Sequence, residues 1–371
     1  MISLSKTKTN FSNILSLLSW DIGVDLGSSN MRVYLKDRGI VIDEPSVVAR
    51  QKKKRWTGLS APKRGYVGPI AFGFKAKEMI NREPGQVEVV RPLKNGIISD
   101  MEAAEMLIAY YLKLLYEIPS KGVKVFKPRV VVGVPSFISN VQKRAVKSIF
   151  LKAGAREVIL IEEAVLAAVG LGLATDRSSG LVVVDIGGGK TEVAVVSMGG
   201  IVLGRSVKVA GEDFDEAIGN YIKMKYGLLI GKNSAERVKI ELGNVAEDLG
   251  AREKAAVVRG RDLETGLPKS IKLSEVEIRE ALSLDVNKII RTVAEVLDET
   301  PPDMMEDILK RGIVMVGNGS LVRGMDTLIE KKTKIITRVT DDPGMCVIKG
   351  SGELVQNREL FNQVKLVSGL G

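Results

Sequence analysis

Ile22-Gly-Val-Asp25-Leu-Gly-Ser-Ser-Asn30-Met-Arg-Val-Tyr34 and Leu181-Val-Val-Val-Asp185-Ile-Gly-Gly-Gly-Lys190-Thr-Glu-Val-Ala-Val-Val-Ser197 follow one pattern. Each is an apolar strand, a tight Gly turn beginning with Asp, and a second apolar strand. Gly and Ser at a hairpin tip let backbone N–H groups approach an anion closely. An Asp at the strand end can hold hydrated Mg²⁺, which usually binds through one or two carboxylates and water. Either loop alone is common turn chemistry. Two copies 160 residues apart point to two similar domains clasping one polyphosphate. A third Gly-rich element, Ile313-Val-Met-Val-Gly317-Asn-Gly-Ser320-Leu-Val-Arg-Gly324, reads as a buried strand, a turn and a helix. Its small residues let a sugar or base lie against the backbone.

The 371 residues suit about two domains. A chain 45% hydrophobic and 27% charged is globular rather than disordered. Histidine is absent, which excludes His-dependent triads and His-ligated metals. One cysteine, Cys346, excludes an intrachain disulfide and fits a reducing compartment. No apolar run reaches the roughly 20 residues a membrane span needs. The N-terminal apolar stretch is broken by Ser12, Asn13, Ser16 and Ser19, unlike a signal peptide. A cytoplasmic protein is expected.

The net charge of +10 is local. Residues 1–20 hold two lysines and no acid, and residues 45–77 hold nine basic residues and no acid, so the remainder is −1. Only 17 aromatics and no nucleic-acid motif argue against a nucleic-acid partner. An anionic membrane surface fits better, because each Lys or Arg near one is worth about 1 kcal/mol. Phe11, Ile14, Leu15 and Leu18 recur on one face of a helix that Asn10 can cap. A helix this short can lie in a membrane interface but cannot span it. Packing on the protein's own core is the alternative.

The Gly-rich elements, with Ile161-Glu-Glu-Ala-Val-Leu-Ala-Ala-Val-Gly170 between them, resemble the actin/heat-shock-chaperone/sugar-kinase ATPase superfamily. Within it the chain is most similar to the MreB family of bacterial actins. The likeness includes residues 39–48, 91–100, 125–135, 210–218, 234–245 and 341–347. It implies an α/β, actin-like fold of two duplicated ribonuclease-H-like domains, each with a small subdomain, and ATP with Mg²⁺ in the cleft between them. The expected plan is a membrane-binding segment over 1–20, and one domain over 21–174 plus 346–371, with its small subdomain near 42–98. The second domain spans 175–345, with its small subdomain near 211–280. The resemblance also implies self-assembly into double filaments on the anionic inner face of the cell membrane, with cell-wall elongation proteins as partners.

Carried over by motif, Gly27, Ser28, Ser29 and Asn30 contact the phosphates from one side and Gly187, Gly188 and Gly189 from the other. Gly317, Asn318 and Gly319 contact the nucleoside side, Glu236 and Lys239 flank base and ribose, and Asp25 and Asp185 serve the metal. Glu163 matches the carboxylate that orients the attacking water. Three departures stand out. Ala164 replaces a usual Pro, and Asn318 replaces a usual second Gly. Lys190, followed by Thr191, replaces the first of two threonines, and both are placed in the catalytic set. Lys190 can pair with Glu163 and slow hydrolysis, or contact the γ-phosphate. Phe11, Ile14, Leu15 and Leu18, together with Val125 and Phe126, match the family's membrane-touching elements. A small-molecule kinase would need an acceptor pocket with its own base, and a chaperone-like binder a second peptide-binding region. The sequence displays neither.

Overall fold

The computed structural model describes residues 20–52, 68–118, 127–173, 180–246 and 254–368. Phe11, Ile14, Leu15, Leu18, Val125, Phe126 and most of the basic loop after Lys52 lie outside the described residues. The chain divides into two compact units. One holds residues up to Val134, Ile138–Glu162 and residues from Ser351, and the other holds Pro135–Phe137 and Glu163–Gly350.

Each unit is built on a five-stranded sheet with the same plan. In the first, the spatial order is Glu157–Glu162, Arg129–Val134, Ile22–Leu26, Asn30–Leu35 and Gly39–Pro45. The first three strands pair in parallel and the last two pairings are antiparallel. In the second, Thr337–Val339, Ile313–Val316, Leu181–Ile186, Thr191–Ser197 and Gly200–Val207 repeat that order and those senses. Both units also insert a three-stranded sheet after the third strand of the main sheet. The sequence echo is therefore a duplicated topology.

Strand alternation sets which side of each sheet is core. Ile22, Val24 and Leu26 enter the first unit's core with Leu107, Leu112 and Phe150, while Gly23 and Asp25 face the other way. Val182, Val184 and Ile186 enter the second core with Phe214, Ile289 and Met315. Burying such side chains is worth about 1.5–3 kcal/mol each. The covering helices begin where the sequence supplies caps. Ser139 with Gln142 and Ser274 with Glu277 form capping boxes, and Asp100 accepts from the Ala103 N–H.

Arg50 belongs to the basic 45–77 stretch, yet its charge is used internally. Its guanidinium lies 2.7 Å from both Glu88 and Asp100, tying the small sheet to the cap of the helix Met101–Glu117. Among the described residues, no helix is long and apolar enough to cross a membrane.

Candidate functional site

The first hairpin turn is braced from beneath. The Ser46 hydroxyl donates to the Gly27 carbonyl at 2.7 Å, and the Ser46 N–H donates to the Ser29 carbonyl at 2.9 Å. The Ser28 hydroxyl oxygen accepts the Gly96 N–H at 2.8 Å. These bonds fix the turn without using the hydroxyl proton of Ser28, which remains available to donate. Asn30 turns to Asp43, donating through Nδ2 at 2.8 Å. Asp25 pairs with Arg32, Oδ2 to Nη1 at 3.1 Å.

The second turn is closed by the Gly187 N–H donating to the Lys190 carbonyl at 3.0 Å. The helix Gly211–Tyr226 starts on it, with the Gly211 and Glu212 N–H groups donating to the Gly187 and Gly188 carbonyls. Gly317 and Gly319 press on the end of Leu181–Ile186. A Cβ on Gly317 would lie 2.3 Å from the Ile186 carbonyl oxygen and 2.4 Å from Asp185 Oδ1, and its φ is +78°. Asn318 faces Gly344, where a Cβ would meet the amide at 2.1 Å. Within this unit the structure brings together Asp185, Gly187, Gly188, Gly189, Gly317, Asn318 and Gly319 at one end of the sheet.

Lys190 lies between two carboxylates, 2.8 Å from Glu163 and 2.8 Å from Glu192. All three side chains are nearly buried. Burial opposes the ammonium charge, but the two acids outweigh it and hold the Lys190 pKa above the ordinary lysine value. Glu192 is held in turn by Ser136, whose N–H donates at 3.0 Å and whose hydroxyl donates at 3.1 Å. Thr191 is fully buried and its hydroxyl donates to the Val209 carbonyl at 2.6 Å, an anchor within the sheet.

The model for the MreB/Mbl protein family matches residues 19–363 of this sequence. The chain belongs to the MreB/Mbl family. It is 40% identical to the cell shape-determining protein Mbl of Bacillus subtilis over 93% of its own length and 98% of that protein. It is also 40% identical to the cell shape-determining protein MreB of Escherichia coli K12, over 95% and 96% of the two chains. The crystal structure of MreB5 of Spiroplasma citri bound to ADP superposes with a TM-score of 0.83 at 33% identity, covering 93% of this chain and 98% of that one. The duplicated α/β architecture is the actin-like fold.

For this MreB/Mbl member, the sequence reading missed Glu192, Ser136, Arg32 and Asp43. Glu192 was accessible in principle, because residues two apart on a strand share a face, which places 190 and 192 together. Arg32 follows Asp25 by seven residues across a short turn, the separation that makes them register partners. Ser136 is 56 residues from Glu192, and nothing local points to it.

Glu236 and Lys239 lie on one face of the helix Lys232–Leu242. Lys239 donates to the Gly211 carbonyl at 2.7 Å and pairs with Asp215 at 2.8 Å, so it braces the helix that supports the second turn. Burial pushes the Asp215 carboxyl up to about 6, with Lys239 opposing and Glu236 and Glu212 adding to the rise. A folded acid with a raised pKa binds its proton more readily than the unfolded one. Stability therefore falls as pH rises from about 4 to about 6. Relative to Asp215→Asn, the parent should lose up to about 3 kcal/mol across that window, less what solvent screens. Thermal unfolding of both proteins from pH 4 to 7 checks this, and parallel curves would count against it.

Proposed function

We propose that this protein is an ATP-binding, filament-forming cytoskeletal protein of the cell-shape class, associated with an anionic membrane surface and slow in ATP hydrolysis. Membership of the MreB/Mbl family together with two Asp-x-Gly hairpin turns on a duplicated sheet carries this reading. The related MreB5 of Spiroplasma citri has been crystallised with ADP and with AMPPNP. The backbone amides at each Gly-rich hairpin turn suit phosphate oxygens. Among the described residues, no group of three or more acids or thiols is arranged to hold a metal. Mg²⁺ bound through one carboxylate, water and phosphate would offset phosphate charge.

Slow hydrolysis follows from Lys190. A carboxylate aligns or partly deprotonates the attacking water only if its lone pairs are accessible and basic. The ammonium 2.8 Å from Glu163 engages those lone pairs and holds them away from water. This favours the Glu163-pairing role of Lys190 over contact with the γ-phosphate.

Membrane association is supported by where two candidate anchors join the first unit. Trp20 packs edge-on against Tyr116, with ring centroids 4.6 Å apart, and Asp21 pairs with Arg129 at 2.6 Å. The chain ends bounding residues 1–19 and 119–126 therefore meet at one corner of the unit. Two weak anchors rooted together act with high effective concentration, and a filament multiplies them.

Sedimentation tests the proposal. With ATP the full chain should pellet as polymer and should co-pellet with phosphatidylglycerol vesicles. Deletion of residues 1–19 should keep the polymer and lose most vesicle binding, by about tenfold or more. No pelletable polymer at high protein concentration would overturn the cytoskeletal reading. ATP consumption that depends on an added sugar would favour the kinase alternative.

A further inference from the structure

The duplicated hairpins carry opposite charges at equivalent places. In the first, Asp25 lies directly opposite Arg32, and Arg32 lies opposite Asp43 on the third strand. The guanidinium is 3.1 Å from Asp25 through Nη1 and 3.1 Å from Asp43 through Nε. Asp25 and Arg32 side chains are only 10% and 9% exposed. In the second hairpin, the same seven-residue offset places Glu192, an acid, opposite Asp185. The nearby cation, Lys190, is engaged by Glu163 and Glu192.

We propose that Arg32 is a built-in counter-cation for Asp25, removing that carboxylate from the metal set and leaving the nucleotide's divalent cation to the Asp185 turn. The inference rests on the nucleotide-binding reading above. A hydrated Mg²⁺ approaching Asp25 meets a fixed positive charge where little water screens the repulsion. It also competes for a carboxylate oxygen already accepting from the guanidinium. Asp25 therefore does not fit the metal role that its motif implies. At Asp185, an acid rather than a guanidinium stands across the register. Arg32 also offsets part of the charge of Asp25 and Asp43 without metal, so the turn's amides are presented to phosphate whether or not Mg²⁺ is present. In this role Arg32 is a positioning residue, acting through Asp25 rather than on substrate.

The test measures equilibrium binding of a fluorescent ATP analogue to the full chain, in EDTA and across a Mg²⁺ titration. The readout is the ratio of Kd without Mg²⁺ to Kd with it. Asp25→Asn should leave that ratio within about twofold, whereas Asp185→Asn should lower it about tenfold or more. Arg32→Leu should raise the ratio, and adding Asp25→Asn to that background should reverse the rise. If Asp25→Asn in the parent lowers the ratio as far as Asp185→Asn does, the proposal is overturned. An unchanged ratio in a folded Arg32→Leu variant also overturns it. Should Arg32→Leu fail to fold, the two isosteric Asn variants decide the question alone. Absence of analogue binding under every condition takes down the nucleotide reading and this inference with it. Binding whose Mg²⁺ dependence runs through Asp25 defeats this inference only.

Discussion

Lys190→Thr should hydrolyse ATP faster than the parent, on the order of tenfold or more, with ATP affinity little changed. The ammonium sits 2.8 Å from Glu163, and its removal returns a carboxylate that can align water. The same change destabilises the protein. It leaves Glu163 and Glu192 close together and nearly buried, and breaking a buried pair from one side costs about 3–5 kcal/mol. Rate and stability should therefore move in opposite directions. Adding Glu192→Gln relieves the repulsion while still accepting from Ser136, so the double variant should recover stability and keep the faster rate. Single-turnover hydrolysis with thermal unfolding on the same samples measures both. If neither variant is faster than the parent, Lys190 does not restrain Glu163.

Gly350→Ala should be the most destabilising single methyl addition in the second unit, costing about 3 kcal/mol or more. The helix Glu163–Gly170 carries Glu163 at its first position and crosses the helix Cys346–Gln356 at close range. A Cβ on Gly350 would sit 1.8 Å from the Leu166 carbonyl oxygen, and one on Gly170 would sit 2.2 Å from the Cys346 carbonyl oxygen. Both obstacles are backbone, so neither can rotate away. Gly219→Ala is the matched control. It lies in the helix Gly211–Tyr226, and nothing is within 4 Å of its added Cβ. Alanine there should stabilise by up to about 1 kcal/mol through helix propensity. Chemical unfolding midpoints of the two variants should shift in opposite directions. A shared sign would count against the close helix crossing.

Much of the fold was readable because it depends on local signals. The alternation of Ile22, Val24 and Leu26 and of Val182, Val184 and Ile186 specifies strands with one core face. The two Asp-x-Gly turns specify hairpins, and their repetition specifies a duplicated sheet. Half of the Lys190 arrangement was also readable, as one of two stated partners. The other half depends on Ser136 and Glu192, whose contact joins chain segments 56 residues apart. Asn30 and Lys239 show the same limit. Their motif positions suggest a ligand, but Asp43, Gly211 and Asp215 lie within reach and engage them first. A buried polar group takes the partner that the fold supplies, and one strand or helix read alone does not disclose that partner.

The Asp25–Arg32–Asp43 row also bears on how the first sheet finds its alignment. Successive strand residues point to opposite faces, so sliding the middle strand by one position would drive the guanidinium into the side lined by Val24, Leu26 and Val33. There it would be a charge in an apolar layer with both acids stranded on the far side. The row thus penalises misaligned pairings much more than it strengthens the correct one. The row therefore favours the one register in which the first turn's amides keep their native orientation.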